Sequence, residues 1–325
     1  MNTFLTTDWL SMTSLVLLTN QLEVTGYFNT SWNCDFQKPF APGETVRIKY
    51  PPKFVIRNGI GYNPQGIAEI QTSITVNQTF GVDFEWTDVE AALKLERGDA
   101  RLTDFYIKGP IAQIAQEWDS RSALFAYQNA NQIVGVLGTD PSTFAAFSNV
   151  AQQKLVEQGC PREGEKAMII APGVNTALMG SVVSTFNPAD AISKQYKQGV
   201  IGMQAGFKYF QSMSLYAHTA GTIAGAFTLA AAVANGATSL TVNLTAGDTL
   251  AVGDVICLGG TYNANPMTRR KTTNAYTKTV VVTQALTAAG GGADVVQISP
   301  TIYGPGSPYQ NVDVLPANGA TLTLF

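Results

Sequence analysis

Hydrophobic and polar residues alternate from Ile67 to Val76. Ile67, Glu69, Gln71, Ser73 and Thr75 fall on one face of an extended strand, and Ala68, Ile70, Thr72, Ile74 and Val76 on the other. The stretch before it, Arg47-Ile48-Lys49-Tyr50, is broken by Pro51-Pro52 and resumes at Phe54-Val55-Ile56-Arg57. Between the two halves, Asn58-Gly59-Ile60-Gly61-Tyr62-Asn63-Pro64 is turn chemistry, because Asn-Gly supplies positive φ at low cost and proline fixes a bend. The pattern over 47–86 therefore predicts a two-stranded arm with little core of its own. An isolated ribbon of this kind is marginal in water. Its support is either a neighbouring subunit or, if it is an ordinary hairpin, a larger sheet.

The rest of the chain mixes helical and strand periods. Thr6-Thr7-Asp8 caps a predicted short helix over 9–19, followed by an aromatic, turn-rich passage with Tyr27, Phe28, Trp32, Phe36 and Phe40. Strict alternation predicts a half-buried strand over 80–86 with Phe80, Val82, Phe84 and Trp86 inward. Thr87-Asp88-Val89-Glu90 offers a cap and a short helix after it. Gly109-Pro110 opens the clearest helix, expected to run to about Val134 with Ile111, Ile114, Ala115, Trp118, Ser122, Phe125 and Ala126 in one stripe. Its length of roughly 36 Å suits a spine. Residues 141–220 read as α/β: helices over 141–158 and 174–183, a buried strand over 166–170, a short helical piece to Tyr196 and a strand over 214–218.

From residue 221 charge nearly vanishes and Thr, Val, Ala and Gly dominate. Short strands are expected over 240–244, 255–258, 279–283 and 295–299, which predicts a small inserted barrel or sandwich. Residues 309–325 are read as a strand returning to the first domain. The fold class is thus α+β.

Composition changes this picture in one respect. Hydrophobic residues make up 45% of the 325, but charged residues only 13%, about half the usual share for a soluble domain. Interface cores are depleted of charge, so scarce charge points to surface covered by partners; a Thr/Gly/Asn-rich secreted β protein is the other source of such a composition. A net charge of −3 gives no basic signature for nucleic acid. No apolar run reaches the ~18 residues of a membrane span. The apolar Leu15-Val16-Leu17-Leu18 precedes the first basic residue, Lys38, so it reads as a buried helix and not a secretory signal. Cys34, Cys160 and Cys257 are widely spaced and odd in number, which favours free thiols over a disulfide framework or zinc site.

Chemistry-bearing constellations are sparse. His218, the one histidine, has no Cys, Asp or Glu at ligand spacing and reads as a structural imidazole. Asp83, Glu85, Asp88 and Glu90 alternate with aromatics and read as solvated strand positions. Gly290-Gly291-Gly292 lacks the Lys-Ser/Thr of a phosphate loop and reads as a hairpin turn. No catalytic residue, cofactor or metal site is expected, and hence no enzyme. Arg269-Arg270-Lys271, with Lys278 nearby, is read three ways: a solvated loop, a salt-bridging contact with another subunit, or a nucleic-acid contact.

The order of several motifs resembles the major capsid (coat) proteins of P22-like tailed phages, which have the HK97 fold. They are Asn2-Thr3-Phe4-Leu5-Thr6, Gly43-Glu44-Thr45-Val46-Arg47-Ile48, Pro51-Pro52, Gly81-Val82-Asp83-Phe84-Glu85 and Pro110-Ile111-Ala112-Gln113-Ile114-Ala115. Phe186-Asn187-Pro188, Ile192-Ser193-Lys194-Gln195-Tyr196 and Ala205-Gly206-Phe207 follow, then Val252-Gly253-Asp254-Val255 and Tyr262-Asn263-Ala264-Asn265-Pro266-Met267-Thr268-Arg269. The resemblance implies an N-terminal arm (1–45), an E-loop hairpin (46–80), a peripheral domain with a spine helix (81–138), an axial domain (139–220), an inserted small β-barrel-like domain (221–308) and a C-terminal return strand (309–325). Members of that family continue beyond the insertion, whereas Phe325 is the last residue here. That leaves a compact variant or a missing C-terminal segment.

By the same resemblance the chain is a virion structural protein that self-assembles, as hexamers and pentamers, in the bacterial host cytoplasm. The icosahedral head would enclose double-stranded DNA without base specificity. A scaffolding protein and a portal are its implied partners, and no membrane is involved. Expected inter-subunit contacts are Trp9 on the N-terminal helix, Arg57, Asn58, Gly59 and Tyr62 on the arm, and Arg269, Arg270 and Lys271 on the inserted module. An encapsulin-type compartment and a monomeric carbohydrate-binding or adhesin β module are the alternatives.

Overall fold

The computed structural model describes residues 6–36, 43–57, 59–62, 64–67, 69–83, 107–135, 147–161, 166–185, 201–223, 226–271, 275–290 and 293–325. Their internal contacts divide the chain into two units, Met1–Pro52 with Gly66–Ala123, and Lys53–Gln65 with Leu124–Phe325. The architecture is mixed α+β with a closed six-stranded barrel. Helix 87–90, the start of helix 141–158, the piece ending at Tyr196, and Asn58 fall outside the described residues.

The first unit holds helix α1 (Thr6–Gln21), strands β1 (Thr45–Lys49) and β2 (Gln71–Thr75), and most of helix α2 (Lys108–Asn129). The expected N-terminal helix extends back to Thr6, so Thr6-Thr7-Asp8 make its first turn instead of preceding it. Leu17 and Leu18 pack on Ile107 and Ile111 at the head of α2. The spine helix stops at Asn129, five residues short of the predicted Val134.

The buried side of α2 shares Ile111 and Ala115 with the predicted stripe and departs from it elsewhere. Ile111, Ala115, Asp119 and Ala123 are buried at four-residue intervals, whereas Trp118 and Phe125 are exposed. A carboxylate tolerates that position because its lone pairs are filled. Asp119 accepts hydrogen bonds from the backbone N–H of Glu23 (2.7 Å) and Thr25 (2.9 Å) and from the Thr25 hydroxyl (2.7 Å). It thereby clasps the chain after α1 to the spine. Asp119→Ala would strand these donors, and the expected loss is about 2–4 kcal/mol of unfolding free energy in urea titrations. A loss below about 0.5 kcal/mol would contradict the clasp.

Trp118 instead meets Phe80 edge-on, centroids 5.8 Å apart. The predicted strand over 80–86 is absent through Val82 and Asp83, the last described positions of it, and Phe80 and Val82 are part-exposed. Alternation alone supplied no partner strand there.

The second unit contains helices α3 (Ser148–Glu157) and α4 (Pro172–Thr185) around β3 (Lys166–Ile170), β4 (Met203–Gln204) and β5 (Phe207–Gln211). β3 pairs in parallel with β5, as a strand–helix–strand connection allows. Leu178 of α4, Ile170, Ile201, Phe207 and Tyr209 form the core of this layer. The predicted strand over 214–218 is not formed; the sheet strand lies earlier, at β5, and 214–220 carry no strand pairing.

The barrel is built from short apolar strands, alternating in β7 and buried on both faces in β10. Its strands are β6 (Phe227–Leu229), β7 (Ala237–Asn243), β9 (Val255–Tyr262), β10 (Thr277–Val282), β12 (Ala293–Ile302) and β13 (Thr321–Leu324). They close in the order β10-β12-β7-β6-β13-β9, every pair antiparallel. Closure removes unpaired edges. Leu229, Leu240, Val242, Ile256, Leu258, Val280, Val282, Val296, Ile298 and Leu322 fill the interior. A short pair, β8 (Thr249–Leu250) with β11 (Leu286–Thr287), flanks it. The C-terminal strand was expected to return to the first domain. It completes the barrel instead, Leu322 facing Phe227 on one side and Leu258 on the other.

Candidate interaction surface

The ribbon base is a two-stranded antiparallel sheet in which Thr45 faces Thr75 and Lys49 faces Gln71. Gly43 N–H donates to the Val76 carbonyl (2.7 Å), Val76 N–H to Glu44 (2.9 Å) and Tyr50 N–H to Ile70 (2.9 Å). Its side chains find almost no cover: all five residues of β2 are exposed, and β1 alternates between exposed and half-buried. Lys49 and Glu69 pair at 2.8 Å but stand in water, so this ion pair adds little. Main-chain pairing holds the base, and among the described residues no hydrophobic layer lies beneath it.

The tip, 53–65, belongs to the second unit. Gln65 ties it shut by accepting from Val55 N–H (2.8 Å) and donating to the Val55 carbonyl (2.6 Å). Arg57 donates to the Gly59 carbonyl, and Gly59 takes φ 95°, as the Asn-Gly turn requires. Phe54 is part-exposed, and Ile56 (88%), Ile60 (100%) and Tyr62 (89%) are almost bare. A monomeric surface rarely presents large apolar side chains in such density.

Among the described residues, Arg269 and Lys53 link this tip to the barrel. Arg269 donates through Nη2 to the Phe54 carbonyl, and the Lys53 ammonium lies 5.9 Å from the Tyr309 ring centroid. The basic loop is therefore only partly solvated. Lys271 pairs with Asp313 (3.4 Å) and covers the Tyr262 ring at 4.8 Å. Arg270 is exposed. Trp9 lies in α1, where Met12, Leu15 and Val16 are exposed.

Three polar features were not visible as sites in the sequence. His218 was expected to have no acidic partner, yet its Nε2 sits 2.6 Å from Asp254 Oδ1. Asp254 is fully buried and also accepts from Ala251 N–H (2.7 Å) and Gly221 N–H (3.1 Å). Tyr127, at the end of α2, stacks on the imidazole at 4.6 Å and donates to the Gly253 carbonyl. Burial, then the Asp254 charge, push the Tyr127 phenol up to about 12. The motif Val252-Gly253-Asp254 is the only local trace of this clasp. Lys278 is the third feature: its side chain shares a face with Val280 and Val282 and is fully buried, and burial lowers it to about 8. Among the described residues no three His, Cys, Asp or Glu side chains gather as metal ligands, and no helix is long and apolar enough to cross a membrane.

No family model and no curated protein matches this chain. A solved structure from Mycobacterium phage Che8 aligns with 95% of this chain and 90% of its own length, at 12% identity and a TM-score of 0.44.

Proposed function

We propose that the chain is a shell subunit: a major capsid protein of the HK97 fold whose hexamers and pentamers close into an icosahedral head around double-stranded DNA. The observation that carries this reading is the ribbon. Its base is paired main chain to main chain, while Ile56, Ile60, Tyr62 and Ile67 stand in solvent. Burying such side chains is worth about 1.5–3 kcal/mol each, and the described residues offer the ribbon base no layer. Low charge and the ordered motifs of the P22-like coat proteins support the same reading. The exposed face of α1, with Met12, Leu15 and Val16, is a second surface of the same kind.

The function is association. Each contact can be weak, because closure of a shell makes every subunit multivalent. Maturation would be a population shift between two packings of one subunit, with a scaffolding protein and portal as partners. Electron microscopy of the purified chain across a concentration series tests this. Closed polyhedral shells with hexameric and pentameric units are expected. Small cages holding foreign enzyme would favour the compartment, and a monomer of 34.6 kDa at every concentration would refute the shell.

A further inference from the structure

We propose that the barrel loop 263–271 is a mount for the ribbon tip of its own chain, with Arg269 as the positioning residue. The mount presents Ile56, Ile60 and Tyr62 to a second copy of this chain. This deepens the shell reading and rests on it for the partner.

The loop is built around Asn265. Its side-chain oxygen accepts from Met267 N–H (2.8 Å) and Thr268 N–H (3.1 Å). Its amide nitrogen donates to the carbonyl of Glu157, the last residue of α3 (2.7 Å). Its backbone brackets the turn, accepting from Arg269 N–H (2.8 Å) and donating to the Arg270 carbonyl (3.0 Å). These bonds force Arg269 to φ +56°, a left-handed conformation that costs a non-glycine residue stability. Glycine would fit the turn better, so the arginine at this position is explained by what its side chain does. It reaches the Phe54 carbonyl, next to Val55, which Gln65 already holds.

The direction of the contact decides between parking and presentation. A parked tip would hide its apolar side chains against the barrel. Here, among the described residues, the barrel takes the Phe54 carbonyl and the Lys53 ammonium, and Ile60 and Tyr62 stay bare. Holding the tip in one conformation removes ordering entropy from the later contact, so the mount raises the rate and strength of association.

The test compares wild type with Arg269→Gly, which suits the positive φ and keeps the turn, and with Arg269→Lys, which keeps charge without the planar fork. Limited trypsin digestion below the assembly concentration reads cleavage after Lys53 and Arg57. Cleavage follows the population of released tip. The glycine variant should be cut about tenfold faster and the lysine variant at an intermediate rate, as loss of one charge-assisted hydrogen bond implies. Particle formation by the glycine variant should slow by a similar factor, with unchanged barrel circular dichroism. Equal cleavage rates would overturn the mount, whatever the particles do. Faster cleavage with faster assembly would overturn presentation in favour of parking. Faster cleavage in a protein whose wild type never assembles would sustain the mount and remove the shell reading.

Discussion

Particles disappear when Ile60→Asp and Tyr62→Ser are combined, while the isolated chain keeps its unfolding free energy within about 0.5 kcal/mol. The separation of the two effects follows from exposure. Ile60 is 100% and Tyr62 89% exposed, so neither contributes to the stability of the single chain. In a shell contact, each would supply about 1.5–3 kcal/mol of burial, and the aspartate would bring an unpaired charge into that contact. A combined loss above about 3 kcal/mol per contact exceeds a hundredfold in association, and the loss recurs at every subunit. Light scattering against concentration reads the assembly threshold; thermal melting reads the fold. Wild-type assembly by the double variant would show that the tip is not a contact.

Lys278→Met stabilises the barrel by roughly 2–3 kcal/mol at neutral pH. Lys278 stands opposite Leu258, on the same face as Val280 and Val282, and its side chain is buried. Burial lowers its pKa from 10.5 to about 8, and this difference corresponds to roughly 3 kcal/mol. The folded pKa lies below the unfolded one, so between these values the unfolded chain binds more protons. Stability is therefore reduced in full below about pH 8 and recovers as pH rises towards 10.5. Methionine has similar length and no charge, so the variant should lose that alkaline recovery. Urea unfolding followed by circular dichroism, wild type minus variant, reads both effects. A difference that stays constant from pH 7 to about 10 would contradict a buried, titrating ammonium.

The barrel was the most legible part of the chain. Its inward residues alternate in β7 and the first half of β12, and β9 and β10 are apolar runs buried on both faces. β6 escaped because three residues carry no period; β13 was expected as a strand but given to the first domain, because its partners, Phe227 and Leu258, are far away in sequence. The ribbon base was legible for the same reason as the barrel, from β2 and its turn. The contacts that decide what happens at its tip were not. Arg269 and Phe54 are separated by 215 residues, and only the folded chain brings them together.

The polar clasps show a second limit. Helical spacing placed Asp119 off the core stripe, because a carboxylate counts as polar whatever surrounds it. The fold buries it by delivering two backbone donors and a hydroxyl from Glu23 and Thr25. His218 and Asp254 lie 36 residues apart, with a buried carboxylate that must be read together with the Ala251 turn to be noticed. Long-range satisfaction of polar groups leaves no period in a sequence, and hydrophobic periodicity was the signal available.

If the ribbon finds its apolar partner in a neighbouring copy, a photo-crosslinker placed at position 60 joins two chains. Light and nitrogen-15-labelled chains are mixed before assembly, irradiated, and the linked peptides weighed. Linkage between light and heavy chains at the frequency of random mixing is the expected outcome. Links confined to a single isotope, joining position 60 to its own chain, would contradict it.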